Sequence, residues 1–444
     1  MELSNKNVTV LGLGKSGLAA AQVLKANGAI VSVSDSGDSQ ELSENKQVLK
    51  KQGINVETGS HSKEYILGRD LIVTSPGVPR GAWPLLLAGE NNIPVISEIE
   101  LGFWFCRAPV VAVTGTNGKS TVTSLIGEIL SDAGKNPIVC GNIGNPFCGE
   151  LPRIKENNIV VLEVSSFQLE TIKTFRPKVS ALLNVTQNHL DRHTDFKEYL
   201  SAKKRIFLNQ RPDDTAVLFY DDPVLRALAK DVKAEVLYFS LKDKVNGAYL
   251  KDGKLFLLER FLMGAGDIKI KGEHNILNAL CCAIAASVLG VSDKSIAGTI
   301  SRFKGLEHRF EHVRTLRGVN YVNDSKATSV DAAVYALRSI PGGIILIAGG
   351  RDKKSDYNIV KNIVNEKARA VILIGEAKEN IKIAIQGRAQ VQFAASLEDA
   401  VKKASDISQS GDTVLLSPMC ASFDMFRNFE DRGDKFKEIV SRLQ

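Results

Sequence analysis

Short runs of branched apolar residues recur along this chain. Each is followed by a polar turn, often glycine-bearing, and then by apolar positions at helical spacing. Asn7 to Leu11 is the first such run, a helix follows over Leu18 to Ala26, and Val31 to Val33 is the second run. Asp70 to Thr74 gives another strand, before Ser75-Pro76-Gly77-Val78-Pro79, and this block ends near Ile96. Glu98 to Arg107 reads as a linking helix, with Pro109 marking the hand-over to a second block. There, Val110 to Val113 is a strand, and the helix after its turn presents Val122, Leu125, Ile126, Ile129 and Leu130 on one face. Ile159 to Leu162 and Val179 to Leu183 are further strands, and Tyr199 to Phe207 is helical. Residues 215–270 hold several short strands, followed by the apolar helix Ile276 to Leu289. Beyond Gly305 the alternation resumes with strands at Tyr321-Val322, Ile344 to Ile347, Ala370 to Ile374 and Thr413 to Leu416, and with a helix over Leu397 to Ala404. Strands alternating with helices predict an α/β fold built on parallel sheets. A chain of 444 residues holds about three such domains, placed at 1–97, 98–305 and 306–444.

The turns between these elements carry the chemistry. Gly115-Thr116-Asn117-Gly118-Lys119-Ser120-Thr121 lies between a strand and a helix. Such a turn aims backbone N–H groups and a helix N-terminus at one point, which suits a polyphosphate. Lys119 would neutralise phosphate charge and Ser120 or Thr121 would offer a hydroxyl to Mg²⁺. Ala112 stands where the general phosphate-loop pattern has its first glycine, yet the strand and helix context supports ATP or GTP binding in a P-loop-type mononucleotide domain. Glu163, at the C-terminal end of its strand, faces the same place and is a candidate Mg²⁺ ligand.

In the first block, Gly12-Leu13-Gly14-Lys15-Ser16-Gly17 follows a strand, and Asp35 ends the next one, eighteen residues past Gly17. This is the layout of a Rossmann-like nucleotide site. The block is short, so a single nucleotide fits better than NAD, and the glycines are also explicable as packing positions. His189, Asp191, Arg192 and His193 cluster after the strand ending at Leu183, open equally to a metal or catalytic site and to a surface pair. Lys203, Lys204 and Arg205 read by composition as a solvated basic face. Gly272-Glu273-His274-Asn275 caps a helix, and polar turns follow the strands of the last block at Asn323 to Thr328, Gly349 to Lys353 and Ser417 to Asp424.

Composition narrows the function classes. With 44% hydrophobic and 24% charged residues and a net charge of +7, the chain suits small anionic substrates at least as well as nucleic acid. It has no apolar run long enough for a membrane span and no signal-like layout at Met1 to Val10. Its six cysteines form no C-x-x-C pair, which points to a reduced, cytoplasmic protein.

Taken together, these motifs resemble the Mur ligase family over essentially the whole chain. The resemblance rests on Thr114 to Ser120, Glu163 with Ser165-Ser166-Phe167-Gln168-Leu169-Glu170, Asn184-Val185-Thr186 with His189-Leu190-Asp191, Glu273-His274-Asn275, His308-Arg309-Phe310-Glu311 and Asn323 to Thr328. Gly12 to Gly17 and Ser417 to Asp424 are most similar to the branch that adds D-glutamate to UDP-N-acetylmuramoyl-L-alanine. The resemblance implies an ATP-dependent amide ligase acting through an acyl phosphate and a tetrahedral intermediate, in a Rossmann-like, a central ATPase and a C-terminal Rossmann-like domain. It implies that Gly115 to Gly118 and Lys119 hold the phosphates, and that Ser120 and Glu163 hold one Mg²⁺. It further implies that His189 and a carbamylated Lys203 hold a second Mg²⁺. Asn275, Asn278, Arg309 and Asp324 are the implied nucleotide contacts. Ser16, Asp35, Gly77 and Asn142 are implied for the UDP-linked substrate, and Lys326, Thr328, Lys353, Ser422 and Phe423 for D-glutamate. A monomer without nucleic-acid or membrane partners is expected, with closure hinges near 97–109 and 303–312. A dehydrogenase reading from Gly12 to Gly17 leaves Gly115 to Thr121 and Glu163 without a purpose.

Overall fold

In the computed structural model, which describes residues 3–186, 195–352 and 355–444, the strands gather into three sheets. The first contains β1 (Asn7–Leu11), β2 (Ile30–Asp35), β3 (Asn55–Thr58), β4 (Leu71–Thr74) and β5 (Val95–Ser97), all parallel, in the order β3-β2-β1-β4-β5. Chain order reverses between β1 and β4, so the turns after these two strands border the crevice where such sheets bind ligands.

The second sheet contains β6 (Val110–Thr114), β7 (Pro137–Gly141), β8 (Ile159–Glu163), β9 (Val179–Leu182), β10 (Thr215–Phe219), β11 (Glu235–Ser240), β12 (Gly247–Lys251), β13 (Lys254–Leu257) and β14 (Arg260–Gly264). Its order is β14-β13-β12-β11-β10-β9-β6-β8-β7, and β12 to β14 form an antiparallel extension at one edge. All five residues of β6 are buried, which is why this strand reads as an unbroken apolar run and not as an alternation. The third sheet holds β15 (Glu311–Leu316), β16 (Val319–Asn323), β17 (Ile344–Gly349), β18 (Ala368–Ile374), β19 (Gln390–Phe393) and β20 (Thr413–Leu416), in the order β15-β16-β20-β17-β18-β19. Only its edge strand β15 runs antiparallel.

These sheets fall into two compact units, one through Phe303 and one from Lys304 to Gln444. The division lies inside the second expected hinge. The first expected hinge, 97–109, lies inside the first unit, and two carboxylates account for its attachment there. The helix Glu98–Phe105 buries both acids of its first turn. Glu100 accepts hydrogen bonds from the backbone N–H groups of Lys173, Thr174 and Phe175 at 2.9, 2.7 and 2.9 Å, and from Trp104 Nε1 at 2.8 Å. That donor set replaces the water the carboxylate has lost. Glu98 Oε1 accepts from Cys148 N at 2.6 Å, while its buried Oε2 has no hydrogen-bond partner among the described residues. Among the described residues, no helix is long and apolar enough to cross a membrane.

Burial pushes the Glu98 carboxyl up to about 7. A carboxyl that binds its proton more tightly when folded stabilises the fold below its ordinary range, and that stability is lost as pH rises toward the raised value. The wild-type chain should lose up to about 3 kcal/mol between about pH 5 and about pH 8 from this group. Glu98→Gln should remove that part of the slope in urea denaturation, and equal slopes in the two proteins would contradict it.

Candidate active site

β6 ends at Thr114, and the turn Gly115 to Gly118 delivers the chain into the helix Lys119–Asp132. Gly118 has φ +82°, and a Cβ there would lie 2.7 Å from Asn278 Oδ1, so this position needs glycine for both conformation and space. Asn184, after the neighbouring strand β9, shapes the turn. Its Oδ1 accepts from Asn117 N at 2.8 Å, its Nδ2 donates to Asn117 O at 3.1 Å, and its carbonyl accepts from Thr116 N at 2.9 Å. The sequence reading noted Asn184 but gave it no role. A polar residue directly after a buried strand beside the phosphate turn was the available signal. Ala112 sits inside β6, paired with Leu162 and Ser180, below the level of the turn.

Two lysines meet beneath this turn. Lys119 Nζ donates to the carbonyls of Gly115 and Thr116 at 3.0 and 2.9 Å. Lys203 Nζ donates to Gly115 O at 2.8 Å and lies 4.6 Å from the centre of the Tyr199 ring. Lys203 is only 1% exposed, so the solvated basic face predicted from composition is wrong at this position. The helix Phe196–Lys204 turns Lys203 inward and leaves Lys204 exposed, while Arg205 is half-buried and donates to the carbonyls of Leu169 and Ile172. Burial first, and then the Lys119 cation, hold the Lys203 amine well below the usual lysine range, opposed by the Glu163 carboxylate.

Glu163 ends β8, on the other side of β6, and is 2% exposed. Its Oε1 accepts from Asn142 Nδ2 at 2.9 Å, and its buried Oε2 has no hydrogen-bond partner among the described residues. Ser120 is buried at the start of the adjoining helix, with Thr121 half-buried beside it. A buried carboxylate at the end of β8 and a hydroxyl in the first turn of the helix after β6 make an all-oxygen donor set, which suits Mg²⁺. His189, with the rest of the 187–194 stretch, lies outside the described residues. From the helix Glu273–Val288, Asn278 reaches the turn at Gly118 and donates to Asn275 Oδ1 at 3.2 Å.

In the same unit, a cleft of about 330 Å³ runs between loops of the first two sheets, lined by Ser75, Pro76 and Val78 on one side and by Phe167, Gln168 and Ala202 on the other. Gly77 lies exposed on the first of these loops, and Asn142 follows β7. The helix Lys15–Ala26 starts so close to the turn before it that a Cβ on Gly17 would lie 1.8 Å from the Gly12 carbonyl oxygen. Ser16 is half-exposed in the first turn of that helix. Asp35 accepts from Leu13 N and Gly37 N, each at 2.7 Å. Its carboxylate thus braces the turn after β1, a structural task the sequence reading did not assign.

In the second unit the predicted residues follow adjacent parallel strands. Asp324, Lys326 and Thr328 come after β16, and Ser422 and Phe423 after β20, with Met419 N donating to Ala327 O at 2.9 Å between the two loops. Asp324 accepts from Phe310 N at 3.1 Å and Ser417 Oγ at 2.9 Å, and burial pushes its carboxyl up to about 7. Arg309, half-buried, supplies a cation that opposes this rise. Lys326 Nζ lies 5.0 Å from the centre of the Phe429 ring, Ser422 is buried, and Phe423 is 63% exposed. Lys353 lies outside the described residues. Arg432, absent from the sequence reading, is fully buried and ties the two loops by donating to Ser325 O at 2.8 Å and Cys420 O at 3.2 Å. Its signal was an arginine on the same helical stripe as Phe429, Phe436 and Val440.

Three family models match consecutive parts of the chain: the N-terminal domain of MurD-like Mur ligases over residues 6–97, the Mur ligase middle domain over 113–286, and the Mur ligase glutamate ligase domain over 308–420. The chain belongs to the Mur ligase family. This Mur ligase is 45% identical to a protein of Koribacter versatilis (strain Ellin345) named UDP-N-acetylmuramoylalanine--D-glutamate ligase, over 100% of this chain and 99% of that one. A relative of the same name from Thermoanaerobacter sp. (strain X514) is 44% identical over 100% of both. Among solved structures, the UDP-N-acetylmuramate-alanine ligase of Thermotoga maritima superposes with a TM-score of 0.61 at 20% identity, covering 98% of this chain and 99% of that one. The MurF ligase of Thermotoga maritima, solved in complex with ADP, gives a TM-score of 0.60 at 17% identity, covering 100% of this chain and 97% of that one. The three-domain Mur ligase architecture expected from the sequence is therefore the architecture found.

The phosphate turn of this Mur ligase makes a direct prediction. Gly118→Ala should weaken binding of a non-hydrolysable ATP analogue at least about tenfold, because the added methyl displaces Asn278 or the turn itself. Gly134→Ala, also at positive φ but with open space around its Cβ, should leave that affinity unchanged. Calorimetry returning the same affinity for both variants would contradict this.

Proposed function

We infer that this Mur ligase uses ATP to join D-glutamate to the terminal carboxylate of UDP-N-acetylmuramoyl-L-alanine, releasing ADP and phosphate in peptidoglycan precursor synthesis. The geometry that supports this reading is the Gly115 to Gly118 turn with Lys119 and Lys203 beneath it and the buried Glu163 carboxylate at the end of the neighbouring strand β8. The acceptor and donor follow the name borne by relatives that match the whole chain.

In this reading the substrate carboxylate takes the γ-phosphoryl group, and the amine of D-glutamate attacks the resulting acyl phosphate. Phosphate then leaves from a tetrahedral intermediate. Such a sequence needs positioning and charge neutralisation more than a protein nucleophile. Gly115, Thr116, Asn117 and Gly118 offer backbone N–H groups to the phosphates, and Lys119 exchanges its two loop carbonyls for phosphate oxygens. Asn275, Asn278, Arg309 and Asp324 take the nucleoside and its phosphates. Ser120 and Glu163 would hold Mg²⁺, which neutralises the charge that develops on the transferred phosphoryl group.

Lys203 is assigned to a carbamate, formed when its uncharged amine adds CO₂ and gives up a proton to solvent, and with His189 this anion would hold a second Mg²⁺. Burial that depresses the amine's proton affinity supports Lys203 over the exposed Lys204. Ser16, Asp35, Gly77 and Asn142 are assigned to the UDP-linked substrate. Thr328, Lys326, Lys353, Ser422 and Phe423 are assigned to D-glutamate, whose two carboxylates call for cations and hydroxyl or backbone donors. A cytoplasmic monomer suits soluble, nucleotide-linked substrates.

The test is phosphate release from ATP in the presence of UDP-N-acetylmuramoyl-L-alanine, adding D-glutamate, L-glutamate, meso-diaminopimelate or L-alanine in turn. Release with D-glutamate alone, together with one new amide product by mass, is the expected result. Release with a different acceptor would move the protein to another branch of the family.

A further inference from the structure

An ion pair crosses the cleft between the first two sheets. Arg80, on the loop after β4, places a guanidinium nitrogen 3.0 Å from Glu198 Oε1, in the first turn of the helix that carries Lys203. Both side chains line the cleft, and Arg205 lines it as well. Arg205 is fixed by the carbonyls of Leu169 and Ile172, so its guanidinium has little freedom to turn. Arg80 differs: its side chain is 73% exposed, and among the described residues it pairs with a carboxylate and not with a fixed backbone group. An ion pair so exposed adds little to stability, because water screens it and two long side chains must be ordered to make it. Its place at the wall of a binding cleft is the informative feature.

The substrate assigned above is a polyanion, with a diphosphate and a terminal carboxylate. A guanidinium recognises carboxylate and phosphate with the same fork of donors, so one can replace the other without moving the arginine far. We propose that Arg80 is a recognition residue for an anionic group of the UDP-linked substrate, held in place by Glu198 in the free protein and exchanged to the substrate on binding. This rests on the substrate reading above and adds to it a residue that neither motif nor resemblance singled out. Glu198 then works against binding twice. It neutralises Arg80 before the substrate arrives, and it presents a like charge to the incoming anion. The two members of the pair therefore have opposite effects on affinity. A pair that merely braced the loop against the helix would give the same effect whichever side chain was lost.

Titration calorimetry on the full chain separates these cases, with UDP-N-acetylmuramoyl-L-alanine and with UDP as ligands. Arg80→Gln should weaken binding of the full substrate about fivefold, and Glu198→Gln should tighten it about twofold to threefold, with affinity for a non-hydrolysable ATP analogue equal in all three proteins. If Arg80 reads the diphosphate, UDP binding weakens in parallel. If it reads the terminal carboxylate, UDP binding is unchanged. Either pattern supports the proposal and identifies the group. Equal substrate affinity in Arg80→Gln and wild type would overturn it, as would a similar loss in both variants. A wild-type chain that binds neither UDP nor the full substrate would overturn the functional reading along with it.

Discussion

Lys203 sits where a lysine is costly, beneath the phosphate turn and almost without access to water, its amine donating to the Gly115 carbonyl beside the Lys119 ammonium. A buried cation next to another cation favours loss of its proton, and Glu163 across β6 only partly offsets this. The local architecture follows from that constraint. The helix Phe196–Lys204 must pack its Lys203 face inward, Tyr199 must lie alongside the amine, and the strand ends of β8 and β9 must bring Glu163 and Asn184 to either side of the turn. A carbonyl, an aromatic face and one carboxylate surround the amine.

Buried charge serves a second purpose away from the phosphates. Glu98 and Glu100 fasten the helix after β5 onto two loops of the central sheet, and Glu100 alone collects three consecutive backbone N–H groups. The cleft between the loops of the first two sheets lies in the same unit, where Asp35 braces the turn after β1. In the second unit Arg432 does the same for the loops after β16 and β20. Glu100, Asp35 and Arg432 each bond main-chain groups of another segment, so these loops are positioned by bonds that tolerate little rearrangement.

Much of the scaffold was legible. Fully buried parallel strands such as β6 and β17 read as unbroken apolar runs, and glycines that need positive φ or close approach, such as Gly12 and Gly118, stand out between strand and helix. Short strands gave too few residues for a period: β3, β5 and β19 went unread, as did the edge strand β15 with its exposed positions. The inward face of Lys203 was beyond composition, because three basic residues in a row say nothing about which one a helix turns toward the core, and only the family resemblance singled it out. Glu98, Glu100 and Arg432 were illegible for a related reason. Their partners come from segments distant in the chain, such as Lys173 to Phe175 for Glu100, and no local pattern records that meeting.

Burial beneath the turn favours the uncharged amine of Lys203, the form that adds CO₂ in the proposed carbamate. Carbon-13 NMR of the full chain equilibrated with labelled bicarbonate tests it most directly. The account predicts one protected carbamate resonance that is lost in Lys203→Arg and retained in Lys204→Arg. A spectrum without such a resonance, or one that vanishes only on changing Lys204, would contradict it.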